Sequence, residues 1–219
     1  DVYKRQGNLM YELRDHLLIE EEVFQGSTIY TVDNFYKNPE EVERYLFHNE
    51  VPLHKINEKP TYNNIHFQDR RLFELNNELV HVIDLLSSIC NQKPICYHTI
   101  TNQTKFYKHR FNDYENNYWW PHRDQGYNAI VYFNDESGTN FYKEINPKMR
   151  MNEHFKPWRS KKDLMLEKTL DPKYNRLVFF DGKKFLHGMD INSDRYFFDE
   201  YRKNPVSYTH LTLPTKQMV

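Results

Sequence analysis

Hydrophobic and polar positions along the chain predict helices in its first part and short strands in the rest. β-branched and aromatic residues at Ile29–Phe35 predict a strand. Asn38 and Pro39, followed by two acidic residues, are typical of the start of a helix. Val42, Tyr45 and Leu46 supply the apolar stripe of that helix.

The longest helix is predicted at Arg71–Cys90, where apolar residues recur three or four positions apart. After Pro94 the pattern changes to β-prone segments separated by Asn, Asp, Gly and Pro turns. Helices followed by many strands indicate an α+β fold, in which helices support an antiparallel β sandwich or open barrel. The predicted strands are Ile95–Phe111, Ala129–Phe133, Asn140–Lys143, Lys168–Leu170, Arg176–Phe180 and Phe185–His187.

The two ends of the chain look like translated sequencing adapter. Asp1–Gln6 back-translates to the mosaic end of a transposase-made library, and Val206–Leu211 back-translates to its reverse complement. Matches in opposite orientation at opposite ends are hard to obtain by chance. We therefore expect one domain at residues 7–204, shortened at its C-terminus, with 1–6 and 205–219 packing poorly against it.

Charge and hydropathy exclude several classes of function. The 219 residues carry 30 Lys and Arg against 31 Asp and Glu, a net charge of −1, which argues against a general nucleic-acid binder or a polybasic membrane anchor. The mean hydropathy of −0.92 and the lack of a long apolar run exclude a transmembrane helix. Cys90 and Cys96 are too few for a disulfide framework, so we expect a reducing, cytoplasmic environment.

A His-x-Asp motif at His122 and Asp124, with His187 further along, carries the most chemistry. Side chains two apart in a strand project to one side, so a distant histidine can complete a set of two nitrogens and one carboxylate. Such a set holds iron(II) and leaves positions open for substrate and dioxygen. Surface or core histidines are the alternative interpretation, since 11 histidines make one chance His-x-acid pair expected. His48 and Glu50 are such a chance pair. They lie on the first predicted helix, where residues two apart do not face each other.

The segments around this motif occur in a recognisable order. An aromatic-rich strand leads into the motif, followed by a strand with Tyr and Asn, a Gly turn, and an Arg-Leu-Val-Phe-Phe strand that leads to His187. Over about Ile95–Asn204 the chain resembles the iron(II)/2-oxoglutarate-dependent dioxygenases of the prolyl-hydroxylase type. The resemblance implies a double-stranded β-helix, or jelly roll, with N-terminal supporting helices. It rests on Trp119–Asp124, Ile130–Asn134, Ser137–Thr139 and Asn175–Gly188.

The resemblance also implies roles for single residues. His122, Asp124 and His187 would bind Fe²⁺ and form the catalytic centre, and Tyr132 would donate to the distal carboxylate of the co-substrate 2-oxoglutarate. The implied reaction uses O₂ to hydroxylate a peptide, an amino acid or a small metabolite, and releases succinate and CO₂. Ascorbate would be an optional reductant. The alternative interpretation of Tyr132 is a core aromatic residue.

Members of this family place a basic residue beyond the distal histidine, and two arginines compete for that role here. Arg195 opens a segment whose adjacent acids suit a turn or short helix better than a central strand. Arg202, with Asn204, resembles the Arg-x-Asn pattern of some branches, so we favour it as the anchor of 2-oxoglutarate. The alternative interpretation of Arg202 is a solvated surface arginine.

Three other functions remain open at this point. A nucleic-acid dealkylase of the same superfamily shares the triad, although the charge balance counts against it. A non-catalytic metal-binding or sugar-binding β sandwich would use the same ligands for zinc, and an interaction module would use no metal. Trp119 and Trp120 are candidates for the core and the substrate mouth, and Lys156–Lys162 for a solvated loop or a substrate lid.

Overall fold

The computed structural model describes residues 11–48, 55–56, 59–60, 67–74, 79–106, 114–146, 158–197 and 200–212. This part of the chain is mostly strand, with helices α1 (Pro39–His48) and α2 (Val80–Cys90) and a 3₁₀ turn at Arg195–Phe197. No helix in these ranges is long and apolar enough to cross a membrane. The strands are β1 (Ile19–Phe24), β2 (Ser27–Val32), β3 (Lys55–Ile56), β4 (Lys59–Pro60), β5 (Phe67–Glu74), β6 (Lys93–Phe106), β7 (Asn117–Trp119), β8 (Tyr127–Tyr132), β9 (Thr139–Glu144), β10 (Trp158–Ser160), β11 (Leu164–Leu170), β12 (Arg176–Asp181), β13 (Leu186–Met189) and β14 (Arg202–Thr212).

Most of the strands belong to two sheets. The larger sheet has seven antiparallel strands in the order β1-β2-β12-β8-β14-β6-β5. The smaller sheet has three antiparallel strands in the order β11-β9-β13, and β10 pairs separately with β7. The connections run back and forth between the sheets, so consecutive strands often lie in different layers.

The larger sheet separates two apolar clusters. On one face, Ala129 and Val131 of β8 pack with the apolar sides of α1 and α2. On the other face, Ile130 and Tyr132 pack with Phe141 of β9 and with other residues of the smaller sheet. The period of two along β8 therefore places its alternate residues in different cores. The result is three layers, helices, large sheet and small sheet, an arrangement compatible with a β sandwich or jelly roll supported by helices.

The N-terminal elements match the sequence prediction in part. A helix begins at Pro39 as predicted, and Val42 and Leu46 are buried on its inner side, whereas Tyr45 of the predicted stripe is 41% exposed. The predicted helix at Arg71–Cys90 is wrong over its first turn, because residues up to Glu74 form β5; among the described residues of this stretch, the α-helix is Val80–Cys90. Over so short a stretch, apolar residues three apart are compatible with a helix or with a strand. Antiparallel pairing with β6 stabilises the strand.

The C-terminal segment continues the large sheet. Backbone pairing of β14 runs from Arg202 to Thr212 along β6, and Val206 to Thr209 also pair with β8. Sequence analysis expects this segment to pack poorly, yet its alternating Ser, Tyr, Thr and Leu residues suit a strand, and backbone hydrogen bonds accept almost any sequence. The side chains beyond Asn204 and the whole of residues 1–6 lie outside the described part, so the adapter origin stays a prediction.

Candidate metal centre

A pair of backbone hydrogen bonds brings His122 and His187 together. The His122 amide donates to the carbonyl oxygen of His187 at 2.8 Å, and the His187 amide donates to the carbonyl oxygen of His122 at 2.9 Å. This antiparallel bridge connects the segment after β7 to β13 and leaves the ring centroids 4.5 Å apart. The two imidazoles are therefore positioned by backbone, which is more rigid than contact between side chains alone.

Asp124 completes the cluster. Its amide donates to the Gly182 carbonyl oxygen at 2.9 Å, and its Oδ2 lies 3.1 Å from Nε2 of His187 and 3.7 Å from Nε2 of His122. One ligand atom from each of the three residues lies within 4.8 Å of the others. The His187 side chain is buried, whereas those of Asp124 and His122 keep 20% and 28% of their surface exposed. The structure thus brings together the three residues that the motif predicts, two of them partly exposed.

Backbone carbonyls select the tautomer of both histidines. Nδ1 of His122 lies 2.6 Å from the carbonyl oxygen of Trp120, and Nδ1 of His187 lies 2.8 Å from that of Phe185. A carbonyl only accepts, so Nδ1 carries the proton in each ring, and in the neutral imidazole Nε2 keeps its lone pair. Hydrogen bonds of this kind orient histidines that ligate metals. Both Nε2 lone pairs are then available beside the Asp124 carboxylate.

The cluster attracts a cation. Burial opposes ionisation of Asp124, but when His122 and His187 are protonated, the hydrogen bond from His187 and the two positive charges, together with the hydrogen bond from Asn128, outweigh it. Together they hold the pKa of the Asp124 carboxyl well below its ordinary value. Two neutral imidazoles and one carboxylate carry a net negative charge, which a proton or a divalent metal neutralises. This donor set suits iron(II), and zinc binds the same kinds of ligand.

Asn128, at the start of β8, is a member of the cluster that sequence analysis missed. Its Nδ2 donates to Oδ2 of Asp124 at 2.5 Å and lies 3.0 Å from Nε2 of His187. The residue is 1% exposed. Strand alternation places it on the same face of β8 as Tyr132, which is the one signal that the sequence offers for it.

The backbone before the cluster is strained. Trp120 has a φ of 42°, a left-handed conformation that is rare for a bulky residue and that points to a local constraint. Its carbonyl oxygen is the one that accepts from His122. Gly188 makes the approach of this segment possible, because a Cβ at position 188 would lie 2.5 Å from the carbonyl oxygen of Trp119. Trp119 is buried and Trp120 is half-buried with its ring edge-on to His122, which fits the two roles expected for this pair.

Arg202 lies on the same side of the large sheet, beside Tyr132. The residue is 6% exposed, and its guanidinium lies 6.0 Å from the centroid of the Tyr132 ring. It donates to the carbonyl oxygens of Ser137 and Gly138 at 2.8 and 3.4 Å and to Oδ1 of Asn204 at 2.7 Å, all of them neutral acceptors. Burial lowers the pKa of Arg202, although the guanidinium stays charged at neutral pH.

Among the described residues Arg202 makes no ion pair. Asp190 is the acid whose charge acts on it, but the two Asp190 oxygens already accept from Asn140 and Asn192 at 3.0 and 3.1 Å. The Tyr132 hydroxyl lies 2.6 Å from Oγ1 of Thr139, and burial raises the pKa of Tyr132 to about 12. A buried cation beside a neutral hydroxyl is an arrangement that favours a bound carboxylate.

Arg195 lies in a different environment. It occupies the 3₁₀ turn, with about a third of its side chain exposed. Its guanidinium pairs with Glu200 at 2.7 Å and with Glu136 at 3.6 Å. The predicted turn or short helix is confirmed here. Its charge is already balanced by neighbouring acids.

The remaining predicted residues contribute less to the site. Trp158–Ser160, within the predicted loop or lid, forms β10 and pairs with β7, while Lys156 lies outside the described part. His48 ends α1, and Glu50 lies outside the described part, so the interpretation as a chance pair stays a prediction. Cys90 is half-buried, and burial raises the pKa of its thiol. The side chain of Cys96 also lies outside the described part.

Comparisons with solved structures find partial similarities, two of which are described here. No protein-family model and no curated protein matches the chain. An Fe(II)/α-ketoglutarate-dependent dioxygenase, TqaL, aligns with a TM-score of 0.41 and 9% identity, over 74% of this chain and 72% of that chain. A bsmA homolog from Methylobium petroleophilum PM1 aligns with a TM-score of 0.34 and 12% identity, over 91% of this chain and 80% of that chain. At these scores, inference about function depends on the residues of the site.

Proposed function

We propose that the chain is an iron(II)- and 2-oxoglutarate-dependent dioxygenase of the prolyl-hydroxylase type. One observation carries the proposal: a convergent His122, Asp124 and His187 set faces the same interior as Arg202, a buried arginine that makes no ion pair among the described residues. The first group suits a divalent metal, and the second suits the far carboxylate of a dicarboxylic acid. A plain metal-binding sandwich would not require a buried guanidinium, although this one also binds the carbonyl oxygens of Ser137 and Gly138.

Strand order supports a double-stranded β-helix. The strands β6, β8, β12 and β14 lie in the large sheet, and β9, β11 and β13 lie in the small one. The segment after β7 joins the small sheet through the bridge between His122 and His187. The chain thus alternates between two layers, and the histidines come from neighbouring strands of one layer. Such a fold places ligands at the mouth between its sheets.

The spacing along β8 fits a bound dicarboxylate. Asn128 donates to Asp124 of the metal cluster, and the Tyr132 ring lies 6.0 Å from the guanidinium of Arg202. Both residues lie on one face of β8. Four residues of strand separate their Cα positions by roughly 13 Å. A five-carbon dicarboxylate, with the side chains that reach toward it from both ends, spans that interval.

The residues then have separate tasks. His122, Asp124 and His187 would hold iron(II), with Nε2 presented by the carbonyl bonds to Nδ1. Arg202 would bind the distal carboxylate of 2-oxoglutarate, and the Tyr132 hydroxyl would donate to it. Bound iron(II) supplies the activation of O₂ that couples decarboxylation of 2-oxoglutarate to hydroxylation of a substrate. The substrate class we propose is a peptide, an amino acid or a small metabolite, which enters past the half-exposed Trp120.

Uncoupled turnover tests the proposal without knowledge of the substrate. The protein is incubated with iron(II), ascorbate, O₂ and 2-oxoglutarate, and succinate is measured. We expect succinate from the wild type and none from Asp124→Ala. Binding of zinc that iron does not displace, together with no binding of 2-oxoglutarate, would instead identify a non-catalytic metal-binding sandwich.

A further inference from the structure

The amide of Asn128 sits between two of the three proposed metal ligands. Its Nδ2 lies 2.5 Å from Oδ2 of Asp124 and 3.0 Å from Nε2 of His187. In the tautomer fixed by the Phe185 carbonyl oxygen, Nε2 is an acceptor, as is the carboxylate oxygen. The amino group therefore donates to both and offsets the repulsion between their lone pairs, since the two atoms lie only 3.1 Å apart.

From this geometry we infer that Asn128 is a positioning residue for the metal site, which holds the Asp124 carboxylate and the His187 ring in the arrangement that receives a metal. The inference rests on the proposed metal site. Because one oxygen of Asp124 takes the hydrogen bond from Asn128, the carboxylate is held in one rotamer. A bound metal ion would take the lone pair of His187 and would leave the hydrogen bond from Asn128 to the carboxylate in place.

The other atom of the same amide supports this role. Oδ1 of Asn128 is buried and has no hydrogen-bond partner among the described residues. Buried acceptors are rarely left unsatisfied, and such atoms often mark a place for a water or a ligand. A water molecule carried by a metal ion in the cluster would supply the missing donor.

Gly182 provides the space for this amide. A Cβ at position 182 would lie 3.0 Å from both Cγ and Nδ2 of Asn128 and 2.7 Å from the carbonyl oxygen of Gly126. The same glycine accepts the hydrogen bond from the Asp124 amide. The turn after β12 thus fixes the carboxylate backbone and admits the amide that orients the carboxylate side chain.

Metal titration tests the inference on the whole chain. Affinity for Mn²⁺ is measured by calorimetry, and the visible spectrum of bound Co²⁺ reports the ligand geometry. Asn128→Leu keeps the size of the side chain but removes the donor, so the affinity for Mn²⁺ should fall roughly ten- to a hundredfold and the Co²⁺ spectrum should change. Asn128→Ala should give the same result if the leucine variant fails to fold.

Asn140→Leu is the matched control. Asn140 is also a buried strand residue, 2% exposed, and it bonds Asp190 at 3.0 Å and Thr169 at 2.6 Å, away from the triad. We expect a lower melting temperature for this variant with an unchanged Mn²⁺ affinity. Equal Mn²⁺ affinity for wild type and the Asn128 variants would overturn the role of Asn128. Failure of the wild type to bind any divalent metal would overturn the proposed function itself.

Discussion

The two ends of the inner face of β8 carry opposite charges that the described protein leaves unbalanced. Near Asn128, a carboxylate and two imidazoles form a cluster that needs a cation. Near Tyr132, the buried Arg202 has only neutral partners and needs an anion. By contrast, Arg176 pairs with Asp33 through bonds of 2.5 and 3.1 Å, as a structural arginine does. The difference supports the proposal that the interior binds a metal and an acid together.

Loss of Asp124 should have the largest effect on this arrangement. Asp124→Ala removes the only anionic donor of the triad, so the affinity for Mn²⁺ should fall by more than the roughly 10- to 100-fold that loss of an outer partner costs. Calorimetry checks the affinity, and the succinate assay should read zero. Asp15→Ala, at an exposed position, is the control and should bind Mn²⁺ as the wild type does. Metal binding that survives in Asp124→Ala would place the metal elsewhere.

Substitution of Arg202 should affect only the binding of 2-oxoglutarate. Arg202→Ala should leave the Mn²⁺ affinity unchanged and weaken 2-oxoglutarate binding by about ten- to a hundredfold, because hydrogen bonds to charged groups contribute about 1.5–3 kcal/mol. Titration of 2-oxoglutarate into the manganese-loaded protein measures the change. Arg195→Ala is the matched control, and its 2-oxoglutarate affinity should equal that of the wild type. A penalty that moves to Arg195→Ala would make Arg195 the anchor.

Removal of the Tyr132 hydroxyl should have a smaller effect at the same end. Tyr132→Phe keeps the ring that packs in the inner core and deletes one neutral donor, which contributes about 0.5–1.5 kcal/mol. The affinity for 2-oxoglutarate should fall about two- to tenfold, again with no change in Mn²⁺ affinity. Tyr142→Phe, which removes a buried hydroxyl from β9, serves as the control. An unchanged affinity in Tyr132→Phe would make Tyr132 a core residue only.

Substitution in the ion pair of Asp33 and Arg176 should have the smallest effect, and it should change only the stability of the fold. Hydrogen bonding to Arg176 lowers the pKa of Asp33, so this pair stabilises the fold above the ordinary carboxyl pKa and loses its contribution as pH falls below about 4. The pair is partly exposed, so its contribution is about 0.5 kcal/mol. Chemical denaturation at pH 7 and pH 3 should show a smaller loss of stability in Asp33→Asn than in the wild type. Identical losses would mean that the pair contributes nothing.

The sequence predicts the three candidate metal ligands better than it predicts the fold around them. His122 and Asp124 were accessible because the period of a strand is two, and the ordered segments leading to His187 supplied the third ligand. Asn128 was missed because an asparagine at the start of a strand reads as a turn residue, and only tertiary contact shows that its amide reaches the ligands. Backbone bridging between His122 and His187 is likewise a property of the folded chain.

Only the structure shows which arginine lies at the proposed 2-oxoglutarate site. Arg195 and Arg202 both follow the distal histidine. The residues around them favour Arg202 as the anchor of 2-oxoglutarate, but they do not predict which arginine is buried. The structure separates them by environment, since Arg195 pairs with Glu200 and Arg202 is buried among carbonyls. The first turn of the predicted helix at Arg71–Cys90 failed for the same reason, because its pairing with β6 depends on residues far along the chain.

The central claim is that one interior binds a metal and 2-oxoglutarate together. The most direct measurement is anaerobic titration of 2-oxoglutarate into the iron(II)-loaded protein, followed by absorption of the iron–2-oxoglutarate chelate and by calorimetry. We predict saturable binding with a charge-transfer band, and a large loss of affinity when iron is removed. Binding of iron with no 2-oxoglutarate binding and no absorption band would contradict the account.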